Sequence, residues 1–372
     1  MTFAGRVEVA VVGGGPAGAA AAHAAAGAGC RVLLIERGTA ERRSLGESLP
    51  PVAGRLLRAV FGSDGALRSP LHLASYGSRA AWGSDAVVSN DFVLDPNGQG
   101  WHLDRARFDA ALREGARDRG VDVWTDTDLR SLTPTQDGWV LEVAAGGTAR
   151  AVETAVVVDA TGRPATAARA SGACRRAVDR LVAAVARVSP ACSDEVDVDA
   201  TTLVEAVERG WWYTAPLPDG QRVVAFLTDG DLLDGQGYRT GDGWSAGLRS
   251  TRHVAEVVAS GRYQRRGPPM LVAADTASLD PVFGARWIAT GDAAASFDPL
   301  SSLGILTAVD FGAAAGSAAV ALVTGDTGPA AAYASRVARH FRAYLAERER
   351  VYATERRWPM SPFWQRRTGS LE

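Results

Sequence analysis

Val7-Glu8-Val9-Ala10-Val11-Val12-Gly13-Gly14-Gly15-Pro16-Ala17-Gly18 decides the fold. Val7 to Val12 is a short apolar run rich in β-branched residues, the glycines make a tight turn, and an alanine-rich stretch to Ala28 reads as a helix. A second apolar run, Arg31 to Ile35, ends at Glu36, 18 residues after Gly18. Strand, turn, helix, strand and acid at these spacings match a dinucleotide-binding βαβ unit. Gly13 permits the turn, Gly15 lets the backbone approach a pyrophosphate, and Gly18 lets the helix lie close on the strand. Pro16 and Ala17 begin the helix, whose first amides face the phosphate charge. Glu36 accepts from a ribose and Arg37 stacks on an adenine in this reading. A glycine-rich turn without a ligand is the alternative, and the flanking strand, helix and acid argue against it. Nicotinamide and flavin dinucleotides share the fingerprint.

The 372 residues, at ~150 per domain, suggest one or two large lobes. Apolar residues make up 47% and charged residues 22%, a globular composition that excludes disorder. All 40 basic residues are arginine, so no lysine Schiff base, P-loop lysine or lysine relay can come from this chain. Cys30, Cys174 and Cys192 are an odd set without CxxC spacing, and the five histidines have no metal spacing, so no metal site is expected. A reducing, cytoplasmic setting fits. A net charge of -2 without a basic block gives no reason to bind nucleic acid. The Val7 to Ala28 run, with Gly27-Ala28-Gly29-Cys30 behind it, imitates a secretory segment, but the glycines and the single preceding Arg6 argue against one. No other stretch is expected to span a bilayer.

Far downstream, Arg286 to Thr290 reads as a strand running into Gly291-Asp292-Ala293-Ala294 and then Phe297-Asp298-Pro299-Leu300-Ser301-Ser302-Leu303-Gly304-Ile305, followed by a small-residue helix to about Thr324. This arrangement resembles the second FAD signature of the p-hydroxybenzoate hydroxylase-type flavoproteins. The resemblance implies that Gly291 and Asp292 hold the ribityl chain. It also implies that the amides near Leu303, Gly304 and Ile305 face the flavin pyrimidine edge, where a helix N-terminus stabilises negative charge. A plain βα turn with an N-cap aspartate is the alternative.

Three further segments fit the same resemblance. Gly46-Glu47-Ser48-Leu49-Pro50-Pro51 matches a loop that passes the flavin in similar proteins, with Ser48 beside it. Arg105 opens a patterned helix to Arg119, with Phe108, Leu112 and Ala116 on one face, and takes the family's cofactor-side place. Ala155 to Asp159 is a buried-strand pattern leading to Ala160-Thr161-Gly162, with Thr161 against the cofactor. Hydroxylases that bind NADPH directly carry Asp-Gly at this place, so the reductant is left as NAD(P)H acting directly or through a separate flavin reductase. The expected fold is α/β, a Rossmann-like FAD-binding domain with an interleaved antiparallel β-sheet substrate domain and C-terminal helices. Residues 1–70, 101–170 and 280–330 form the first, 71–100 and 171–279 the second, and 331–372 the C-terminal segment, helical through about Arg357. Within the second, Trp211 to Pro216 joins Gln221 to Leu227 through Asp219-Gly220.

Two flavin-dependent subfamilies are similar in pattern. Tryptophan halogenases carry a tryptophan-x-tryptophan-x-isoleucine-proline segment, an essential lysine and a loop glutamate. Here the segment is Trp211-Trp212-Tyr213-Thr214-Ala215-Pro216, Ser301 stands in place of the glutamate, Leu303 replaces a threonine, and there is no lysine. The chain more nearly resembles the flavoproteins that mature tryptophan-derived quinone cofactors of amine, lysine and glycine oxidases. It shares with them Gly46 to Pro51, Gly210 to Tyr213, Phe297 to Ile305 and the tail Glu355-Arg356-Arg357-Trp358-Pro359…Pro362-Phe363-Trp364. The resemblance implies an FAD-dependent monooxygenase that hydroxylates an indole-type aromatic through a flavin hydroperoxide, the substrate being free or carried on a peptide or protein. The alternatives are a halogenase with altered machinery, an FAD dehydrogenase or oxidase, and a flavoprotein chaperone without catalysis. Trp82, Trp211, Tyr213 and Phe297 are the expected substrate contacts, while Trp124, Trp139 and Trp287 read as core. No catalytic acid or base is marked; Glu47 and Asp298 are candidates by location, and His72 and His102 as flavin contacts.

Overall fold

The structure, a computed structural model, describes residues 2–38, 47–68, 72–191, 199–233 and 237–368. Gly46 and Cys192 lie outside them. The helices that position the site are α1 (Pro16–Gly27), α2 (Ala53–Phe61), α3 (Arg105–Arg117), α4 (Thr166–Ala170), α5 (Gly241–Arg249), α6 (His253–Ser260), α7 (Gly304–Val323), α8 (Gly328–Tyr352) and α9 (Pro362–Thr368).

The fold is α/β. One sheet is parallel through Trp287–Ala289, Thr148–Asp159, Thr2–Val12, Val32–Ile35 and Asp122–Trp124, in that spatial order. All four residues of Val32–Ile35 are buried, as a strand covered on both faces requires. Trp287 is buried in this core, with Trp124 and Trp139 packed against it. Alanine and glycine let α1 and α7 approach closely. A Cβ at Gly312 would collide with the Ala17 carbonyl, and one at Gly316 with the Ala21 carbonyl. Both helices advance four residues between these contacts, so they run parallel and present their N-termini at the same end. Because α7 begins eight residues before Gly312 and α1 only one before Ala17, α7 overhangs α1 by roughly 10 Å, at about 1.5 Å of rise per residue.

The second large sheet is mostly antiparallel, in the order Tyr263–Arg265, Leu181–Pro190, Arg222–Asp229, Gly210–Pro216, Thr202–Val207, Gly77–Ala81, Val88–Asp91. Side chains alternate along a strand. Trp212 accordingly joins Phe226, Tyr238 and Trp244 under α5 and α6, while Trp211 faces Tyr352, Phe363 and Trp364 of the C-terminal region. Tyr213 shares the Trp211 face. Arg367 on α9 donates to both carboxylate oxygens of buried Asp229, at 2.6 and 3.2 Å.

Three expectations are corrected. The C-terminal helix stops at Tyr352 rather than running to about Arg357, because Glu355 turns to accept from the Gly83 amide and from Arg357. α3 ends at Arg117, two residues short of Arg119, where Gly120 takes φ +91° and the chain turns into the next strand. Finally, α7 has a mean hydropathy of 1.7 and is long and apolar enough to cross a membrane by those criteria; its small residues are packed on α1.

Candidate active site

The glycine turn carries out the geometry its spacing implied. Gly13 sits at φ +105°, with no room for a Cβ beside the Ala160 carbonyl, and Gly18 closes on the Gly13 carbonyl. Gly15 differs: nothing lies within 4 Å of a Cβ built there. No side chain caps α1 and no acid occupies its first turn, so its leading amides keep their positive end for a ligand. Glu36 accepts from the amides of Gly14 (2.5 Å) and Gly38 (2.7 Å), which fixes the carboxylate while leaving each oxygen further acceptor capacity. Arg37, next along, is exposed. Arg113, buried on α3, donates to the Gly14 carbonyl at 3.0 Å.

Gly291 takes φ +57°, and a Cβ there would collide with that of Ala17 on α1 and lie 3.8 Å from that of Ala308 on α7, which places Asp292 between the two helices. The Asp292 side chain is 38% open, yet its carboxyl is pushed up by desolvation, against the pull of Arg163, Arg175 and Arg105. Open surface combined with strong desolvation describes a hollow walled by protein. Arg163 lies 3.5 Å from Asp292 and also donates to Asp275 and the Phe297 carbonyl. Arg175 pairs with Asp275 at 2.6 Å and donates to Ser296. Arg105 pairs with Asp109 at 3.0 Å. Thr161 donates to buried Asp159 and accepts from the Thr166 amide, so its side chain closes the turn before α4.

The loop before α7 is clamped to α8. Asp298 is buried and accepts from the Tyr352 hydroxyl at 2.6 Å, its amide donates to the Tyr344 hydroxyl at 2.8 Å, and Arg348 stands 3.5 Å away. Burial raises the Asp298 carboxyl, opposed by Arg348 and the Tyr352 hydrogen bond. Leu303 and Gly304 are exposed at the start of α7, which no side chain caps, and space is open beside Gly304. Ile305 packs against the apolar cluster that also contains Leu49 and Val309, which puts the Ser48–Leu49 strand and the first turn of this helix in one cluster. There the Ser48 hydroxyl meets Tyr213 (3.0 Å) and His102 (3.1 Å), and His102 meets the Ala200 carbonyl at 3.1 Å. Glu47 is buried and its charge, after desolvation, helps raise the Tyr213 phenol.

Two uncapped helix starts offset by about 10 Å along their axes, with a carboxylate between them and an acid at the end of the second strand, form a receptor for a long ligand with an anionic middle and an electron-rich end. The FAD-binding-domain family matches residues 6–343. This chain belongs to that family. It is 29% identical over 360 residues to the putative FAD-dependent oxidoreductase LodB of Marinomonas mediterranea, covering 96% of this chain and 95% of that one. The solved flavin-dependent halogenase CmlS superposes with a TM-score of 0.84 at 26% identity, over 97% of this chain and 67% of CmlS. The peptidyl tryptophan dihydroxylase QhpG, described as essential for tryptophylquinone cofactor biogenesis, shares the fold with a TM-score of 0.78 at 24% identity, over 99% and 80% of the two chains. The superfamily is therefore that of the FAD-dependent monooxygenases and halogenases.

The residues present fit FAD. The space at Gly15 suits a pyrophosphate, the Asp292 hollow a polyol, and the bare α7 start an electron-rich ring. The four aromatic residues expected against substrate fall in different places. Tyr213 is half-buried beside Ser48. Trp82 is half-buried among Trp211, Tyr352 and Trp364 and donates to the Val351 carbonyl. Trp211 is 1% exposed, its indole N–H on the Tyr352 hydroxyl. Phe297 is buried against His340, Phe341 and Tyr344. The surfaces of the last two are thus occupied by protein. His72 donates to or accepts from main chain on both ring nitrogens. No group of metal-ligating residues occurs among the described residues. Sequence reading missed Arg163, whose only signal is its place directly after Gly162, and Arg113, Arg348 and Tyr352, which carry none. A cavity of about 510 Å³ lies apart, between α8, α9 and the start of Leu181–Pro190, with Arg348 and Arg367 paired to Asp179 and Asp229 in its lining.

Proposed function

We propose that this FAD-dependent oxidoreductase is a monooxygenase that hydroxylates an indole-type aromatic ring, free or carried on a peptide or protein. The observation that carries the reading is the absence of lysine from the whole chain, since the halogenases it resembles depend on one. Similarity to LodB over nearly the full length of both proteins and a fold shared with a peptidyl tryptophan dihydroxylase support it.

FAD, when bound, would supply the redox chemistry, the transfer of electrons from a reductant to oxygen. The chain's own residues do the rest. The α1 amides and Glu36 would hold the dinucleotide and Asp292 the polyol, with Arg163 beside Asp292 and the charges of Arg163 and Arg175 opposing the desolvation of its carboxylate. The Leu303–Ile305 amides, at the positive end of α7, would face the ring edge and stabilise negative charge there. Asp298 keeps the loop before α7 seated on α8. Tyr213 and Ser48, hydrogen-bonded to each other, would position the substrate ring. The reductant is NAD(P)H, and the Ala160-Thr161-Gly162 turn favours delivery through a separate flavin reductase. Unpaired Cys30 and Cys174 suit a reducing, cytoplasmic setting.

A second reading, a halogenase with altered machinery, draws on the likeness to CmlS. The test is to reduce the holoenzyme, admit ¹⁸O-labelled oxygen with tryptophan, indole and tryptophan-containing peptides in the presence of chloride, and weigh the products. A labelled hydroxylated product is expected. A chlorinated product would establish the halogenase, and an oxidised product without label a dehydrogenase or oxidase.

A further inference from the structure

We propose that Tyr213 recognises the N–H of the substrate ring, and that buried His102, acting through Ser48, fixes the Tyr213 hydroxyl as a hydrogen-bond acceptor. This rests on the aromatic-hydroxylase reading and adds to it the polarity of the contact.

One chain of hydrogen-bonded atoms sets this polarity. His102 is fully buried, and its pKa is lowered to about 4, chiefly by desolvation, so the ring is neutral and carries one proton. Its Nε2 lies 3.1 Å from the Ala200 carbonyl oxygen. A carbonyl only accepts, so the proton is on Nε2 and Nδ1 presents a lone pair. Ser48 Oγ, 3.1 Å from Nδ1, must donate its single proton there. The Ser48 oxygen then has only acceptor capacity for its other neighbour, the Tyr213 hydroxyl at 3.0 Å, which must donate to it. With its one proton committed, the Tyr213 oxygen offers only lone pairs to any further partner.

An indole N–H satisfies that oxygen. An N-methylindole or a benzofuran sets a methyl group or a second lone pair against it, leaving that oxygen unmatched. Tyr213 is positioned for this contact by the strand alternation that puts it on the Trp211 face, and by the pairing of Ser48 with His102 in the small sheet whose Leu49 shares an apolar cluster with the first turn of α7. His102 touches no substrate in this scheme. It is a positioning residue, and its effect is on selectivity.

The experiment measures equilibrium binding by calorimetry to FAD-loaded protein, with flavin content checked by visible absorbance. The ligands are 3-methylindole, 1,3-dimethylindole and 3-methylbenzofuran, together with blocked tripeptides bearing tryptophan, 1-methyltryptophan or benzofuranylalanine. Wild type is expected to prefer the N–H member by about tenfold in whichever series binds. Tyr213→Phe lowers the N–H ligand to the level of the other two and leaves those unchanged. Ser48→Ala and His102→Leu free a proton at Tyr213, so the preference drops below about twofold and the benzofuran gains in absolute affinity, a gain that general damage to the fold does not produce. His102→Gln, whose carboxamide accepts from Ser48 and donates to Ala200, retains the preference, as does Ser48→Thr. Rings that bind wild type without discrimination between N–H and N-methyl overturn the proposal and leave the hydroxylase reading standing. If neither series binds, the aromatic-substrate reading fails and takes this proposal with it.

Discussion

The cradle for the dinucleotide and the wall opposite it are built from different parts of the same chain chemistry. In the cradle the working groups are main-chain: the turn at Gly13, the space over Gly15, the close approach at Gly18 and the amide ends of α1 and α7. In the wall they are side chains whose hydrogens are committed to one another, from Tyr213 through Ser48 to His102, and from Trp211 through Tyr352 to Asp298. A main-chain device is disturbed by adding atoms, and a side-chain device by removing them. The contrast can be tested from both directions.

The largest effects are expected in the cradle. Gly18→Ala drives a Cβ into the Gly13 carbonyl and should cost about 3 kcal/mol or more in unfolding free energy while abolishing bound flavin. Gly15→Ala, with open space around its Cβ, should leave the melting temperature of the flavin-free protein almost unmoved and weaken FAD at least about tenfold. Equal losses of stability in the two variants would break the comparison. Asp292→Ala belongs with Gly15→Ala: an apoprotein that melts normally and binds FAD at least about tenfold more weakly by flavin titration. A fully yellow, active Asp292→Ala protein would sink the assignment.

In the wall, Asp229→Asn uncouples buried Arg367 from its partner and should cost about 3 kcal/mol by denaturant unfolding. The flavin affinity of the surviving folded protein should change little.

A slightly smaller effect concerns acid. His102 has its folded pKa depressed to about 4, against roughly 6.5 when unfolded. Below about pH 6.5 the unfolded chain therefore binds a proton that the folded chain does not. The neutral ring's stabilisation is complete above the unfolded pKa and is lost as pH falls toward 4, on the order of 3 kcal/mol in all. His72 and His23 are depressed in the same direction, each mainly by desolvation. The difference between wild type and His102→Gln in unfolding measured across pH 7 to about 4 isolates the His102 share; parallel curves would show that His102 is not held neutral. The smallest effect is Trp211→Phe, which removes the N–H donated to Tyr352 and should cost about 1 to 2 kcal/mol in thermal unfolding.

The same contrast explains what could be read in advance. The glycine turn, Glu36, the Gly291-Asp292 turn and the α7 start were legible because a main-chain device demands small residues at fixed local spacing. Several inner strands were legible as apolar runs, among them Val32–Ile35, expected over Arg31 to Ile35, and Arg222–Asp229, expected over Gln221 to Leu227; the many short strands were not. The wall depends on pairs far apart in the chain, such as Trp211 with Tyr352, 141 residues apart, and Arg367 with Asp229, 138 apart. No local pattern announces these. The tail was visible as Trp358-Pro359…Pro362-Phe363-Trp364, but nothing in that string says that it folds back beneath Trp211 and Trp82. Arg163 stood next to a recognised turn and was passed over because an arginine after a glycine has no distinctive spacing of its own.

That returning tail sets a schedule for biosynthesis. The inner face of the antiparallel sheet, complete in sequence by Ala273, is covered by Tyr352, Phe363 and Trp364. About 90 residues must be made in between, which at roughly 5 to 20 residues per second is a delay of several seconds. During it the Trp211 face stands bare while the ribosome is still at work, a window in which a chaperone has an apolar sheet to hold and a neighbouring nascent chain has one to stick to.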